Sequence, residues 1–468
     1  MVMGDMEMNT DLLIIGGGPG GYSAAFRAAD LGLDVILVDQ RTRLGGLCLH
    51  AGCIPSKALL HLTQLLNHTR RAGLMGLRFA EPEIDLAVMR DWQQQFITSI
   101  ADNLMNLGKR RGILVVQGGV RFSGIGKVRL EEAEISGIKF KHAIIATGSR
   151  PRPLPGLVFS PDSRIMDSTA ALALAEIPET LVVVGGGYVG LEIGSIYAAL
   201  GSRVILMELK DRLLVKADAD LVGPLQTRLA QHFAAIHLSA RVEGFTETAA
   251  AVVVRYTQDG KTAEMAADRV LLAIGRIPNC DDLGLEHTGV TLDSRGFIKI
   301  DEQQRTSDAR IFAAGDVAGG VMLAHKATRQ GRVAAEVISG RKTGFDVRAI
   351  PAVVCTEPQI AWCGLTEEEA KREGIAHEVQ RFHWQNSGRV QTLGSPASFT
   401  KLITNPADRR ILGVGIVGGK AEGFIGEAAL AIEMGALAED LALVLHPFPT
   451  QAETEDKTME IFPSKSAR

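Results

Sequence analysis

Cys48 and Cys53 stand five positions apart (53 − 48), and Lys57 follows in the same stretch, Gly45-Gly46-Leu47-Cys48-Leu49-His50-Ala51-Gly52-Cys53-Ile54-Pro55-Ser56-Lys57. Two thiols and a cation at this spacing could do dithiol–disulfide chemistry. An ideal helix separates such positions by roughly 7.5 Å along its axis. A disulfide needs its Cα atoms within about 4.4–6.8 Å. A bridge here therefore requires a bent helix start, which Gly46 and Gly52 permit. A strained bridge is easily reduced, which suits a redox centre better than a structural staple. The competing reading is two buried, unbridged cysteines. Lys57 lies one helical turn past Cys53 and can stabilise a thiolate. Its alternative is an ordinary exposed helix lysine.

The elements that must position this stretch come directly before it. Asp11-Leu12-Leu13-Ile14-Ile15 reads as a buried strand. It runs into Gly16-Gly17-Gly18-Pro19-Gly20-Gly21, then a small-residue helix through Ala29, then a strand Val35–Val38 ending at Asp39. This is a dinucleotide fingerprint in its required setting of strand, loop, helix, strand and acid. Gly16 allows the tight turn, Gly18 lets backbone approach a pyrophosphate, and Gly21 lets helix lie on strand. The helix N-terminus faces the phosphates, and Asp39 can accept from a ribose hydroxyl.

The pattern returns with Leu181–Val184, Gly185-Gly186-Gly187-Tyr188-Val189-Gly190, a helix, and Val204–Met207 ending at Glu208. The acid follows the first glycine by the same interval in both copies (39 − 16 and 208 − 185). One such loop is weak evidence; two in register predict two dinucleotides in two doubly wound domains. Glu208 favours NAD over NADP, because a carboxylate bonds a 2′-hydroxyl and repels a 2′-phosphate. Arg203 and Arg212 nearby weaken that argument without removing it.

The rest of the chain sets bounds. Its 468 residues predict about three domains. It is 46% hydrophobic and 22% charged, which suits a globular protein with a sizeable core. A net charge of −4 and the lack of a Lys/Arg cluster argue against nucleic acid and a membrane surface. Five cysteines, an odd number, argue against a secreted disulfide framework and for the cytoplasm. Cys280, Cys355 and Cys363 lack metal-ligand spacing and read as structural. The first ten residues carry no apolar core, so no signal peptide is expected, and no apolar run reaches membrane-spanning length.

Ala143–Ser149 reads as a strand ending in a turn, and the stiff connector Arg150–Gly156 follows. Val270–Arg276 ends the second nucleotide domain in the same way. From about residue 347 the texture changes to an antiparallel sheet, with strands at 353–354, 360–362, 401–403 and 411–417 and helices at 422–435 and 438–445. The expected architecture is α/β: two doubly wound Rossmann-like nucleotide-binding domains plus a C-terminal α+β dimer-interface domain. The boundaries are 1–149 for the first nucleotide domain, 150–276 for the second, 277–346 for the remainder of the first, and 347–468 for the interface domain.

Cys-x4-Cys followed by Ile-Pro-Ser-Lys resembles the redox-active disulfide of the flavin-dependent pyridine nucleotide–disulfide oxidoreductases, and among them the dihydrolipoamide dehydrogenases. The resemblance covers nearly the whole chain, with its motifs in order. It implies FAD at the first loop, NAD at the second, a homodimer, and a lipoyl-bearing protein or small dithiol as substrate. By the same resemblance Cys48 exchanges with substrate and Cys53 lies nearest the flavin. Lys57 sits near flavin N5, paired with Glu192, for which a surface glutamate is the alternative. Ile311–Asp316 resembles the segment whose aspartate, Asp316, binds the ribityl chain, and Met322–Lys326 the helix start at the flavin. His325 there reads as structural. The cofactor set so implied is Gly16, Gly18, Gly21, Asp39, Gly46, Lys57, Gly118, Thr147, Gly148, Asp316 and Ala324 for FAD, with Gly185, Gly187, Gly190, Glu208, Val242 and Gly275 for NAD.

One position departs from the pattern. The family takes its base from the partner subunit, in a His-Pro-Thr-x-x-Glu sequence whose glutamate orients the histidine. Here the stretch is His446-Pro447-Phe448-Pro449-Thr450-Gln451-Ala452-Glu453. Glu453 is kept, but Phe448 stands where the base belongs and cannot take a proton. The thiolate is the nucleophile, and a general base typically contributes about 10²–10⁴-fold. Weak turnover of free dihydrolipoamide is therefore expected, with FAD reduction by NADH intact. Three readings are open: a more acidic thiol or dedicated lipoyl carrier as substrate, a replacement base at His446 or His50, or an engineered or naturally impaired form of the enzyme. His50 is unusual, since the family commonly has asparagine there; its alternative is a partly exposed loop histidine. Rival readings are an NADH-dependent disulfide reductase for another substrate and a non-catalytic FAD-binding subunit.

Overall fold

The computed structural model describes residues 7–393 and 397–451. Its chain divides into two units. One comprises Met1–Ala58, Asp85–Arg152 and Gly275–Asp346; the other comprises Leu59–Ile84, Pro153–Ile274 and Val347–Arg468.

The first unit is built on a seven-stranded sheet. Glu7–Ile15 lies at its centre, parallel to Val35–Asp39 on one side and Gly137–Ile145 on the other. Leu114–Gln117 extends the parallel run beyond Val35–Asp39. Lys127–Glu131 and Gly119–Gly124 continue it antiparallel past Gly137–Ile145, and the short strand Ile311–Ala313 pairs with that same strand. Leu12, Leu13 and Ile14 are wholly buried. Such an unbroken apolar run is what a strand covered on both faces requires. One face carries Leu12, Ile14 and Leu37 against the helices Pro19–Asp30 and Ala324–Ile338. The other carries Leu13, Ile15, Phe122 and Ile138.

The second unit repeats the plan with a five-stranded parallel sheet. Thr180–Val184 lies between Arg203–Met207 and Arg269–Leu272, with Ala235–His237 and Ile165–Met166 outside them. A three-stranded antiparallel meander, Arg241–Glu247, Val252–Gln258 and Lys261–Ala267, contributes Val252 and Val254 to the same core. The C-terminal part is a five-stranded antiparallel sheet in the order Ala352–Val354, Gln359–Gly364, Ile411–Gly418, Phe399–Thr404, Glu378–His383. Helix Ala421–Met434 covers one face through Ile425, Ala428 and Ile432.

Two details differ from the sequence reading. Glu378–His383 is a strand the apolar pattern did not reveal, because an edge strand with Glu378, Gln380, Arg381 and His383 has little apolar signal. The last helix spans Ala438–Ala442 rather than 438–445. Leu443 and Val444 donate three residues back, to Asp440 O and Leu441 O, the tighter bonding with which a helix ends.

Candidate active site

In each unit the central strand feeds a glycine loop at the point where neighbouring strands diverge to either side, the usual ligand crevice of a doubly wound sheet. The two loops match bond for bond. Gly16 N–H donates to Val38 O and Gly185 N–H to Met207 O, both at 2.8 Å. Gly16 and Gly185 have φ of 104° and 113°, a region that favours glycine. A Cβ on Gly21 would lie 1.8 Å from the Gly16 carbonyl oxygen, and one on Gly190 2.0 Å from that of Gly185. These closing glycines let helix meet strand. Asp39 Oδ2 accepts from Gly17 N–H, and Glu208 Oε2 from Gly186 N–H, each at 2.5 Å. The acid of each copy is thereby held at the mouth of its own loop.

The helices that follow, Pro19–Asp30 and Tyr188–Leu200, begin at Gly18 and Gly187. Neither has a side-chain cap or an acid in its first turn. Their first N–H groups are left for an anion. A Cβ on Gly187 would meet no atom within 4 Å. Room beside uncapped N–H donors fits the pyrophosphates of FAD and NAD.

The cysteine segment is attached to the first loop. Gly45 N–H donates to Gly17 O at 2.8 Å, and a Cβ on Gly46 would sit 2.5 Å from Gly18 Cα. Cys48 lies in the short helix Gly46–Ala51, which ends at Gly52 with φ −144° and ψ −110°. A second helix, Cys53–Arg71, starts at once. The bend expected at Gly52 is therefore a full break, and it brings the sulfurs within hydrogen-bond reach of each other. Leu49 and Ile54 anchor the segment on Phe96, Ile97 and Ala101 of helix Leu86–Arg110, and Gln93 Nε2 donates to Pro55 O at 3.1 Å.

The pair carries thiols, with Cys53 exposed and Cys48 half-buried. The Cys53 sulfur bonded beside it holds the Cys48 thiol far above its ordinary range; burial adds to this and Lys57 opposes it. Tyr22, on the first loop helix, is raised mainly by burial and then by Cys48, so it stays protonated.

Other residues expected at the cofactor join a polar network around Asp316. Ser149 Oγ donates to Asp316 Oδ2 at 2.5 Å, and Arg276 donates to Ser149 Oγ at 2.7 Å and to Ser149 O at 2.6 Å. The strands Ser149–Pro151 and Arg276–Pro278 pair antiparallel, which sets this geometry. Thr147 Oγ1 donates to Asn279 O at 2.7 Å, and Asn279 Nδ2 returns to Thr147 O at 2.9 Å across the Gly148 turn. Buried Lys326 donates to Gly319 O, closing the Asp316 loop, and burial lowers its pKa. Ala324 opens an uncapped helix. Gly118 N–H donates to Asp39 O at 2.9 Å. Gly275, the first residue of the last stretch of the first unit, turns with φ of 115°, and in the second unit Val242 lies at a strand irregularity. Sequence reading missed Ser149, Arg276 and Lys326; the paired Gly-Ser and Gly-Arg turns were the available signal.

The C-terminal positions divide. Phe448 is 78% exposed. His446 turns inward, its side chain 6% exposed, with Nε2 3.1 Å from Glu427 Oε1 and Nδ1 buried without a partner. Neither nitrogen is open to a substrate thiol. Glu192 is buried and accepts from Cys355 N–H at 2.9 Å, so it is not a surface glutamate. Glu453 lies outside the described residues.

Residues 10–331 match the pyridine nucleotide-disulphide oxidoreductase family, and residues 350–458 match that family's dimerisation domain. The dihydrolipoyl dehydrogenase of Vibrio parahaemolyticus is 42% identical over 460 residues, 97% of this chain and 96% of that one. That of Geobacillus stearothermophilus is 40% identical over 462 residues, 98% of each. LpdA from Mycobacterium tuberculosis aligns with a TM-score of 0.88 at 27% identity, covering 96% of this chain and 99% of that one. The HOCl-induced flavoprotein disulfide reductase RclA from Escherichia coli aligns at 0.85 and 25% identity, covering 97% and 100%.

Proposed function

The chain belongs to the pyridine nucleotide-disulphide oxidoreductase family, and we propose that it oxidises dithiols at Cys48 and Cys53 and passes the electrons through FAD to NAD. The activity is that of an FAD-dependent dithiol/disulfide oxidoreductase of the dihydrolipoyl dehydrogenase type. The observation that carries it is the thiol pair, broken at Gly52 and bonded directly to the first glycine loop. FAD bound at that loop supplies the two-electron carrier between the sulfurs and NAD.

The chain's own residues do the rest. Gly45 and Gly46 hold the pair against the loop that takes the pyrophosphate. Cys48 bonds to the substrate sulfur as the Cys48–Cys53 bond breaks, and Cys53 leaves as thiolate. Lys57 draws the pair toward ionisation. Asp39 and Glu208 accept from ribose hydroxyls, which sets NAD above NADP at the second loop.

The protein acts as a homodimer, for which the match to the dimerisation domain speaks. Leu443, Leu445 and Phe448 are exposed apolar side chains within that matched stretch. A lipoyl-bearing protein is the proposed electron donor, and the odd cysteine count supports a cytoplasmic setting. Among the described residues no helix is long and apolar enough to cross a membrane. A second reading, a disulfide reductase specialised for another substrate, draws on Phe448 and on the likeness to a disulfide reductase.

Steady-state rates test the proposal. NADH should reduce the bound flavin readily while free dihydrolipoamide turns over weakly. Dihydrolipoamide oxidation at the rate usual for dihydrolipoyl dehydrogenases would remove the weak-turnover claim. A flavin that NADH leaves oxidised would remove the enzyme reading itself.

A further inference from the structure

We propose that the cleft between the first loop helix, Pro19–Asp30, and helix Ala324–Ile338 is a subsite for a carboxylate carried close to the substrate dithiol, with Arg329 and Arg332 as its ligands. This rests on the dithiol–disulfide reading above and names the substrate class of that site, an anionic dithiol in preference to a neutral one. The carboxylate belongs either to the dithiol itself or to an acidic residue beside a lipoylated lysine.

The sequence builds the cleft from two helix faces. Tyr22, Phe26 and Asp30 recur every four residues on one helix, and Arg329, Arg332 and Glu336 every three or four on the other. Small residues bring the helices together. A Cβ on Gly331 would lie 2.1 Å from Gly20 O, and one on Gly20 3.3 Å from Ala327 O. The space left beside that contact is about 480 Å³, a volume that suits a small ligand. Tyr22 and Phe26 give it an aromatic wall, their ring centroids 5.7 Å apart.

The charges in the cleft do not balance. Four arginines and two carboxylates line it. Arg27 Nε donates to Glu336 Oε1 at 2.7 Å, and Arg111 Nε donates to Asp30 Oδ1 at 2.9 Å. Both acids are thereby taken. Arg329 and Arg332 bond no carboxylate among the described residues. Arg329 is half-buried and Arg332 exposed, so both remain within reach of a solute. A guanidinium offers a planar fork of donors that matches a carboxylate.

The cleft begins beside the sulfurs. Tyr22 N–H donates to Gly18 O at 2.9 Å, one helical turn back. On Gly18 packs Gly46, whose Cβ would lie 2.5 Å from Gly18 Cα, and Gly46 opens the short helix that holds Cys48. Electrostatics agree with this placement. Burial raises Tyr22 most, Cys48 and Cys53 raise it further, and Arg332 opposes them. Tyr22 is thus the neighbour that the pair and Arg332 share. A dithiol whose sulfurs meet Cys48 can lay an acidic tail along Tyr22 and Phe26 toward the arginines. The carboxylate itself is unchanged in the reaction. Two S–H bonds of the substrate give way to one S–S bond, the Cys48–Cys53 disulfide takes the two electrons and opens, and two protons are released.

The test uses the FAD-loaded full chain and two pairs of electron donors that differ in charge. One pair is dihydrolipoate and dihydrolipoamide. The other is a peptide with dihydrolipoyl-lysine between aspartates and the same peptide with asparagines. Rapid-mixing reduction of the flavin gives a maximal rate and a half-saturating concentration for each. In at least one pair the anionic donor should half-saturate at about tenfold lower concentration, with a similar maximal rate. A preference in the first pair assigns the carboxylate to the dithiol, and one confined to the peptides assigns it to the carrier. The Arg329→Gln/Arg332→Gln variant should lose the preference through weaker saturation by the anion. Equal saturation within both pairs, or a preference that survives in the glutamine variant, overturns the proposal. Should that variant fold poorly, salt decides with the unsubstituted protein. Added salt should weaken saturation by the anionic donors alone, and a preference indifferent to salt contradicts the proposal. NADH separates the two levels. A flavin that NADH leaves oxidised removes the oxidoreductase reading and this proposal with it. A flavin that NADH reduces, while donor charge makes no difference, removes this proposal alone.

Discussion

Phe448 is exposed and apolar within a stretch that otherwise keeps Pro449, Thr450 and Glu453 of the expected sequence. Restoring an imidazole there should therefore supply the base that the expected sequence places at this position. We expect Phe448→His to raise dihydrolipoamide oxidation at neutral pH by roughly tenfold or more, read in steady state. No gain would mean that proton transfer at this position is not what limits turnover. The residue scale is also where sequence reading was least complete. Two histidines were candidates in the sequence, and the structure gives each a bond that no local pattern announced: His446 to Glu427 and His50 to the Leu44 carbonyl.

The elements that position the chemistry were largely legible, because glycine spacing and an apolar strand leave few alternatives. Gly16 and Gly21 and their counterparts Gly185 and Gly190 make the tight turns and close helix–strand approaches their spacing implied, and Asp39 and Glu208 each bond the N–H of their own loop. Long-range polar contacts were not legible. Lys401, on the strand Phe399–Thr404, is 1% exposed and bonds Asp218 at 2.8 Å, Asp220 at 3.0 Å and Glu367 at 2.7 Å. Arg381 joins the cluster through Asp220 and Glu367, both at 2.6 Å. These residues come from four separate stretches, and nothing local marks them as partners. Lys401→Met should leave buried carboxylates short of a cation and cost about 3–5 kcal/mol in urea unfolding. A loss below about 1 kcal/mol would show the cluster to be dispensable. Acid should act on the same place. Burial works to raise Glu367, but bonds from Lys371 and Lys401 overrule it and bring its carboxyl from 4.5 down to about 2. A carboxyl lowered in the folded state stabilises above its unfolded value. That contribution should fade as pH drops from 4.5 toward 2.

Across the whole chain, two nucleotide sites, one thiol pair and a dimerisation domain make sense together only if electrons pass between sulfur and nicotinamide. The fold class was readable because the same strand–loop–helix–strand unit occurs twice. The division into two units was less so: Leu59–Ile84 belongs with the second unit, although its helix begins at Cys53 in the first. The most direct measurement is an anaerobic reductive titration of the FAD-loaded protein against the Cys48→Ser/Cys53→Ser variant. The account predicts that the unsubstituted protein takes up two more electrons per flavin than the variant, since a disulfide is a two-electron couple. Equal uptake by both proteins would mean that the sulfur pair does not exchange electrons with the flavin, and would contradict the account at its centre.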